Sequence, residues 1–324
     1  MQYAVQNHVA THTLMGSECP GNLNSVLMHM PGSEMDYVSE TNYYYWNFDR
    51  MPDKDRYIGE HQSLQHLLHL HGITIYDLEA YVDEYHGLLN TKPTIRSLHD
   101  IALIAHDGAI LSHMNTPARK HEEAIVKEAL TNLGVPILYE FSEIADAFEG
   151  CLFLSEDTLF IIENERYHRS SVSKFIRAAV QRFTEVIYTA VSDDTRFLHP
   201  HMICNRIRQN LLMAYLPAFT KTYLFGKGFI EPIDFIKHMA EREIEVIPVS
   251  DEEQENGACS FLMLDNKKMI NFDVALNKKT IRELSRHGIE FIPFRAQEFL
   301  ISGDTPYSLV LELHRGNSSP WNLC

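Results

Sequence analysis

The 324-residue chain is short of cysteine, of positive charge and of long apolar runs. Each shortage argues against a class of protein. The five cysteines (Cys19, Cys151, Cys204, Cys259 and Cys324) are an odd number without paired spacing, which argues against a disulfide framework or a cysteine zinc motif. A reducing compartment fits, so a cytoplasmic protein is expected. Lys and Arg total 28 against 44 Asp and Glu, a net charge of −16 that argues against nucleic acid or an anionic membrane surface as partner. No apolar stretch reaches the roughly 18 residues of a membrane span, and MQYAVQNHVATHTL lacks the basic start and apolar centre of a secretion signal. Gly226-Lys227-Gly228 lacks the further glycines and the preceding strand of a phosphate loop. No cofactor is expected.

What is present is a repeated grammar. The first 25 residues are without periodicity and read as an irregular arm. SVLMHM (Ser25 to Met30) is a strand stopped by Pro31-Gly32. Arg56 to His71 carries apolar residues at helical spacing, and ITIYDL follows as a strand. From Asp100 the order hairpin, helix, strand recurs four times. IALIAHDGAILSHM turns at Asp107-Gly108 before a helix from His121 and the strand VPILYEF. CLFL and TLFII precede a helix over about 171–183 and EVIYTAV. MICNRIRQNLLMAYL precedes a helix over 232–241 and IEVIPV. SFLML and KMINF precede a helix over 277–286 and IEFIPF. YSLVLELHR is left over near the C-terminus, and the first unit has one strand too few. Joining the two closes a ring, as repeat architectures do to protect their edges. The expectation is one α/β domain over residues 1–324: a five-bladed propeller of ββαβ modules, closed by strands near 25–30 and 307–315.

A polar residue recurs at one place in these units. Asp100 precedes IALIA, Glu149 precedes GCLFL, His199 precedes an apolar-biased run starting at Met202, and Ser308 opens LVLEL. Modules in a ring would point such side chains at a shared centre. Each has a plainer account. A serine opening a strand is commonly a turn or capping residue, and Asp100 and Glu149 serve equally well as turn partners. A histidine at a strand start is costly to bury without a task. His199 and His201, two apart, share a face in a strand and form a possible metal pair, the weaker reading beside proton transfer. His66, His69 and His71 suit a solvated helix end. Tyr43 to Trp46 reads as loop packing, and Pro217 to Gly228 as a lid candidate.

These phrases together resemble the arginine deiminase/amidinotransferase family, the guanidino-modifying enzymes of the pentein fold. NFDRMP with Glu60-His61 resembles the family's FDD-P and EH pair. HDIALIAHDGAILSHMNTPARKHEE resembles its RD strand and PAR-x-x-E segment. FEGC resembles EGGD, LHPH resembles HLD, and SGDTPYSLVLELHR resembles the glycine-rich strand that carries the nucleophilic cysteine. The resemblance implies a small guanidino, amidino or amino-acid-like substrate. Asp100 and Asp49 would contact it, Glu149 would be the acidic partner of a proton-shuttling His199, and Ser308 would stand at the nucleophile position. Carboxylates suit a planar guanidinium because they bind it bidentately. The departures are equally plain. Serine replaces cysteine at 308, His201 replaces the second clamp aspartate, Leu152 replaces the aspartate of EGGD, and Gly303-Asp304-Thr305 replaces a glycine run. Deimination by a cysteine at this position is excluded. A serine activated by His199 and Glu149 remains, as does a catalytically inactive binder of a ligand or partner.

Overall fold

A computed structural model describes residues 16–141, 146–164, 166–192 and 194–316. The first fifteen residues of the expected arm, and Cys324, lie outside it. Along the chain, β1 (Asn22–Met28) leads through α1 (Lys54–Leu70) to β2 (Thr74–Asp77), and α2 (His86–Leu89) is a single turn. Next come β3 (Ala102–Ala105), β4 (Gly108–Leu111), α3 (Glu122–Asn132) and β5 (Ile137–Tyr139). Then β6 (Leu152–Ser155), β7 (Thr158–Glu163), α4 (Arg169–Ala179) and β8 (Glu185–Ala190) repeat the order. The next unit is β9 (Cys204–Arg208) and β10 (Leu211–Ala214), a hairpin β11 (Thr222–Gly226) and β12 (Phe229–Pro232), then α5 (Phe235–Glu241) and β13 (Glu245–Pro248). After α6 (Asp251–Glu255) come β14 (Leu262–Met263), β15 (Lys268–Phe272), α7 (Lys278–Arg286) and β16 (Glu290–Phe294). Finally α8 (Gln297–Ile301) precedes β17 (Leu311–Gly316).

The described strands form five sheets, four of three strands and one of five. Each contains an antiparallel pair and a third strand parallel to the second, reached through a helix: β3-β4-β5, β6-β7-β8, β9-β10-β13 and β14-β15-β16. The remaining sheet takes its antiparallel partner from the far end of the chain, with β17 against β1 from Asn22↔Gly316 to Leu27↔Leu311. Parallel strands need a long crossover, and a helix supplies it while covering the sheet. The helices start where the sequence provides caps. Asp53, Asp234 and Asn277 accept backbone N–H bonds at the starts of α1, α5 and α7, and Ser250 with Glu253 forms a capping box on α6. Ile125, Val126, Ala129 and Leu130 of α3 are buried on one face. Truncating Leu130 to alanine would cost about 2–5 kcal/mol.

Three expectations are corrected here. Residues 217–228 are no lid: Thr222 to Phe225 pair with β8, extending that sheet. Pro232 belongs to a strand, not a helix, since α5 begins at Phe235 under its Asp234 cap. Cys19 takes part in a disulfide, although the odd count and unpaired spacing of the cysteines argued against a disulfide framework. Cys151, Cys204 and Cys259 are free and buried. Among the described residues no helix is long and apolar enough to cross a membrane.

Candidate active site

The recurring polar residues sit in the turns ahead of the strands, not in the strands. Asp100 ends a 3-10 turn (Leu98–Asp100) before β3, and His199 caps another (Pro200–Met202) before β9. Proline fixes φ and has no N–H, so Pro200 starts a turn where continuous strand was expected. Glu149 precedes β6 and Ser308 precedes β17. Asp49, Asp100, His199, His201 and Ser308 all line one cavity of about 320 Å³. Glu149, fully buried, stands behind its wall.

Asp100 is the electrostatic centre. Its Oδ2 accepts from Arg119 Nη1 at 2.7 Å, and its Oδ1 meets His201 Nε2 at 3.2 Å. His199 Nε2 lies 3.5 Å from Oδ2, too long for a direct hydrogen bond but close enough for an ion pair once that ring is charged. Burial alone would raise this carboxyl. His199, Arg119 and His201 outweigh burial and hold it well below the ordinary carboxylate value. Arg119 also donates to Glu122 Oε2 at 2.8 Å and to the Ser97 carbonyl at 3.0 Å, which fixes its plane. The rings of His199 and His201 are parallel, with centroids 5.6 Å apart. Among the described residues no group of three or more His, Cys, Asp or Glu is arranged to hold a metal ion.

His199 is oriented from behind by a carbonyl. Its Nδ1 is 3.0 Å from the Glu149 backbone oxygen, which can only accept, so Nδ1 carries the hydrogen and Nε2 presents its lone pair to the cavity. Gly150 follows at φ +106°, a backbone conformation that side chains rarely adopt, and so carries the chain around Glu149. Burial lowers the His199 pKa, with Asp100 and Glu149 opposing, and a neutral ring is a base. The Glu149 carboxylate is spent elsewhere: it accepts from Asn115 N–H at 2.9 Å and Arg166 Nη1 at 3.1 Å. Glu149 thus reaches His199 through its main chain, and the side-chain pairing anticipated from the sequence is absent. Ser308 Oγ accepts from Thr305 N–H at 2.8 Å and donates to the Thr305 carbonyl at 3.2 Å. His201 Nδ1 meets Ser260 Oγ at 2.9 Å.

The same cavity holds further groups that sequence reasoning missed. Asp304, read only as a break in a glycine run, accepts from Arg96 Nε at 2.5 Å, Tyr57 OH at 2.8 Å, Ser97 Oγ at 2.6 Å and Ser302 Oγ. The Arg96 guanidinium lies 4.4 Å above the Phe48 ring. Asp49 is exposed at the rim, its N–H donating to the Ile301 carbonyl at 2.7 Å. Ser260 had a signal: it precedes β14 as the other polar residues precede theirs. Arg166, which reaches the cavity past Glu149, had none.

A family model described as N,N dimethylarginine dimethylhydrolase, eukaryotic, matches residues 42–315. The uncharacterized protein YkgA of Bacillus subtilis (strain 168) is 24% identical over 217 residues, 67% of this chain and 68% of that protein. Among solved structures, AgrE in complex with ornithine and NAD+ superposes at TM-score 0.69 with 19% identity over 91% of this chain. The chain spans 40% of the length of AgrE. The N-terminal domain of ArgZ, an arginine dihydrolase from the ornithine-ammonia cycle in cyanobacteria, was solved with substrate. It matches at TM-score 0.68 and 20% identity over 89% of this chain and 97% of that one. A dimethylarginine dimethylaminohydrolase adduct with 4-chloro-2-hydroxymethylpyridine gives 0.62, with 16% identity over 89% and 99%. At these identities the structural likeness carries the fold: a mixed α/β architecture of the same kind.

Proposed function

Because the chain belongs to the N,N dimethylarginine dimethylhydrolase family of guanidino-modifying pentein-fold enzymes, we propose that it is an amidinotransferase- or arginine deiminase-like enzyme with serine at the usual cysteine position. Its substrate is a small guanidino, amidino or related amino-acid-like molecule. The observation that carries the reading is one cavity of about 320 Å³ to which Asp49, Asp100, His199, His201 and Ser308 all contribute. In this reading residues 1–324 form a single domain, a five-bladed α/β propeller with pseudo-fivefold symmetry. The recurrence of one strand pattern in five sheets and the pairing of β17 with β1 support it. The ornithine bound by AgrE and the substrate held by the ArgZ domain favour an amino-acid-like ligand.

The roles follow from the donors and acceptors. Asp100 receives the substrate cation on the acceptor capacity that Arg119 and His201 leave, since a carboxylate offers about four lone-pair sites. Asp49 adds negative charge at the rim, and His201 holds Asp100 in place. His199 takes a proton at Nε2, and Asp100 stabilises the imidazolium that results. Glu149 fixes the ring through its carbonyl. Ser308, the nucleophile position, must leave its bonds to Thr305 before its oxygen attacks the substrate carbon and its proton passes to His199. The leaving amine then recovers that proton, and water or an amine acceptor completes the reaction.

A second reading has its own observation. The Ser308 hydroxyl is committed to Thr305, and an internal guanidinium, Arg119, already occupies Asp100. Both suit a catalytically inactive binder. One experiment separates the two: a thermal-shift screen of arginine, methylated arginines, agmatine, citrulline and ornithine, followed by assay of amine and ammonia release from every stabilising compound. An enzyme shows both a shift and release that ends in His199→Ala. A shift without release supports the binder, and no shift with any of these compounds overturns the guanidino reading.

A further inference from the structure

Beside the active site lies a second, smaller cavity of about 30 Å³ that shares no lining residue with the first. One strand from each of the five sheets reaches it: Leu103 of β3, Phe153 of β6, Arg206 of β9, Met263 of β14 and Arg315 of β17. His99 lines it too, and joins it to the first cavity. The His99 ring lies 5.8 Å from that of His201, which faces the active site, and 4.0 Å from that of Tyr307.

The charges around this cavity do not balance. Arg315 is matched: its Nε and Nη2 hold the two oxygens of Glu312 at 3.0 and 2.5 Å. Arg206 is not. Its Nη1 donates to the Glu18 carbonyl and its Nη2 to the Ser17 carbonyl at 2.8 Å, while the Glu18 carboxylate turns to His106 at 2.6 Å. Among the described residues no carboxylate forms an ion pair with Arg206. Two carbonyls leave most of the five N–H donors of a guanidinium unmet. Burial and then the Arg315 charge lower the Arg206 pKa to about 10, as expected of a guanidinium short of negative charge. The second unmet group is His99, which is only 5% exposed, with both ring nitrogens buried and without a partner. A buried polar side chain left in that state is costly.

Size and charge together select the occupant. A water needs roughly 10–15 Å³ of such space, so about 30 Å³ admits one or two particles of that size and no carboxylate or phosphate. Water would meet the hydrogen bonds but leave the charge of Arg206 uncompensated. We propose that this cavity is a halide site, with chloride held by Arg206 and by a ring N–H of His99. The ion supplies the missing negative charge where the five sheets meet. It also braces the active site, because the His99 main-chain N–H holds the Ser308 carbonyl at 3.0 Å and Asp100 is the next residue. The inference is independent of the chemistry proposed above.

Bromide, which scatters X-rays anomalously, tests this directly. Crystals of the full chain soaked in bromide are expected to show an anomalous peak in this cavity, in contact with Arg206 and His99. In solution, replacing gluconate by chloride at constant ionic strength should raise the wild-type thermal midpoint, with the concentration dependence of a single site. Arg206→Met and His99→Phe should each lose that rise, and Arg206→Lys, which keeps the charge, should retain part of it. A cavity that holds only water in the bromide crystals overturns the proposal. So does a chloride-dependent rise of equal size in Arg206→Met, which marks a general salt effect on the whole surface. Should Arg206→Met fail to fold, the anomalous peak decides alone.

Discussion

Two buried aspartate–arginine pairs face the same cavity, and they are built to opposite specifications. Asp304 receives hydrogen bonds from Arg96, Tyr57, Ser97 and Ser302, which fill the capacity of a carboxylate, and Arg96 is sealed under Phe48. Asp100 receives bonds from Arg119 and His201 only, with His199 waiting at 3.5 Å. In both, burial would raise the carboxyl, and the charged partners overcome it and lower the pKa. The difference lies in spare valence. A saturated pair holds the wall together, and an unsaturated one has room for a ligand.

The sharpest way to break this contrast is to remove the saturated carboxylate. Asp304→Ala leaves Arg96 buried without its counterion, which costs about 3–5 kcal/mol by denaturant unfolding. Asp100→Asn should cost less, because Arg119 keeps Glu122. Equal losses in the two variants would erase the distinction. Next comes the unsaturated side. His199→Ala should lower turnover by about 10²- to 10⁴-fold in a steady-state assay while leaving the unfolding midpoint nearly unchanged. Unchanged kinetics would remove His199 from the mechanism.

Each side also carries a buried histidine with both ring nitrogens unpartnered, and these sharpen the comparison through pH. His61, between Tyr57 and Phe299, is lowered to about 3, chiefly by burial. His99, beside His201 and Tyr307, is lowered to about 4 by burial and then by His201. Their folded pKa values lie below the unfolded value near 6.5. The unfolded chain therefore takes up protons first as pH falls, and stability present above about 6.5 is lost at up to about 1.4 kcal/mol per pH unit for each ring. The loss from His99 ends near 4, and that from His61 continues towards 3. Chemical unfolding as a function of pH should show His61→Phe and His99→Phe each flattening its own part of that slope. A slope that neither variant changes would assign it to other groups.

The smallest effect expected is none at all. Burial pushes the Cys151, Cys204 and Cys259 thiols up, so iodoacetamide should leave all three unmodified in the folded protein. Mass spectrometry of the alkylated protein reads this directly. Rapid labelling of any of the three, with loss of ligand binding, would place a reactive thiol where the cavity has a serine.

The sequence made Asp100, His199 and Ser308 of the cavity, and Glu149 behind its wall, legible because each precedes an apolar run, and runs of that kind are the strongest local signal a chain carries. It could not show how those residues are wired. Arg119 lies only 19 positions from Asp100, but Arg96 lies 208 from Asp304, and no periodicity connects residues that far apart. Glu149 was read as a side-chain acid, yet what His199 uses is its carbonyl, a group every residue has and no sequence advertises. His199 and His201 were expected to share a face by strand alternation. They do lie face to face, but Pro200 and the turn it starts bring them there. The hairpin β11–β12 was misread because two glycines beside a lysine suggest a hinge as readily as a two-residue β-turn.

The pairing of β17 with β1 has a consequence in time. Asn22 meets Gly316 across nearly the whole chain, whereas the antiparallel pairs of the other sheets close over a few residues. Closing a long loop costs entropy that no contact repays until the ends meet, though the cost grows only slowly with length. Local hairpins can form while the chain is still being synthesised, but β1 waits with an open edge until the last strand arrives. Folding should therefore end in a slow step that reports on residues 22–27 and 311–316 together, and an incomplete chain should spend its life exposed at that one edge.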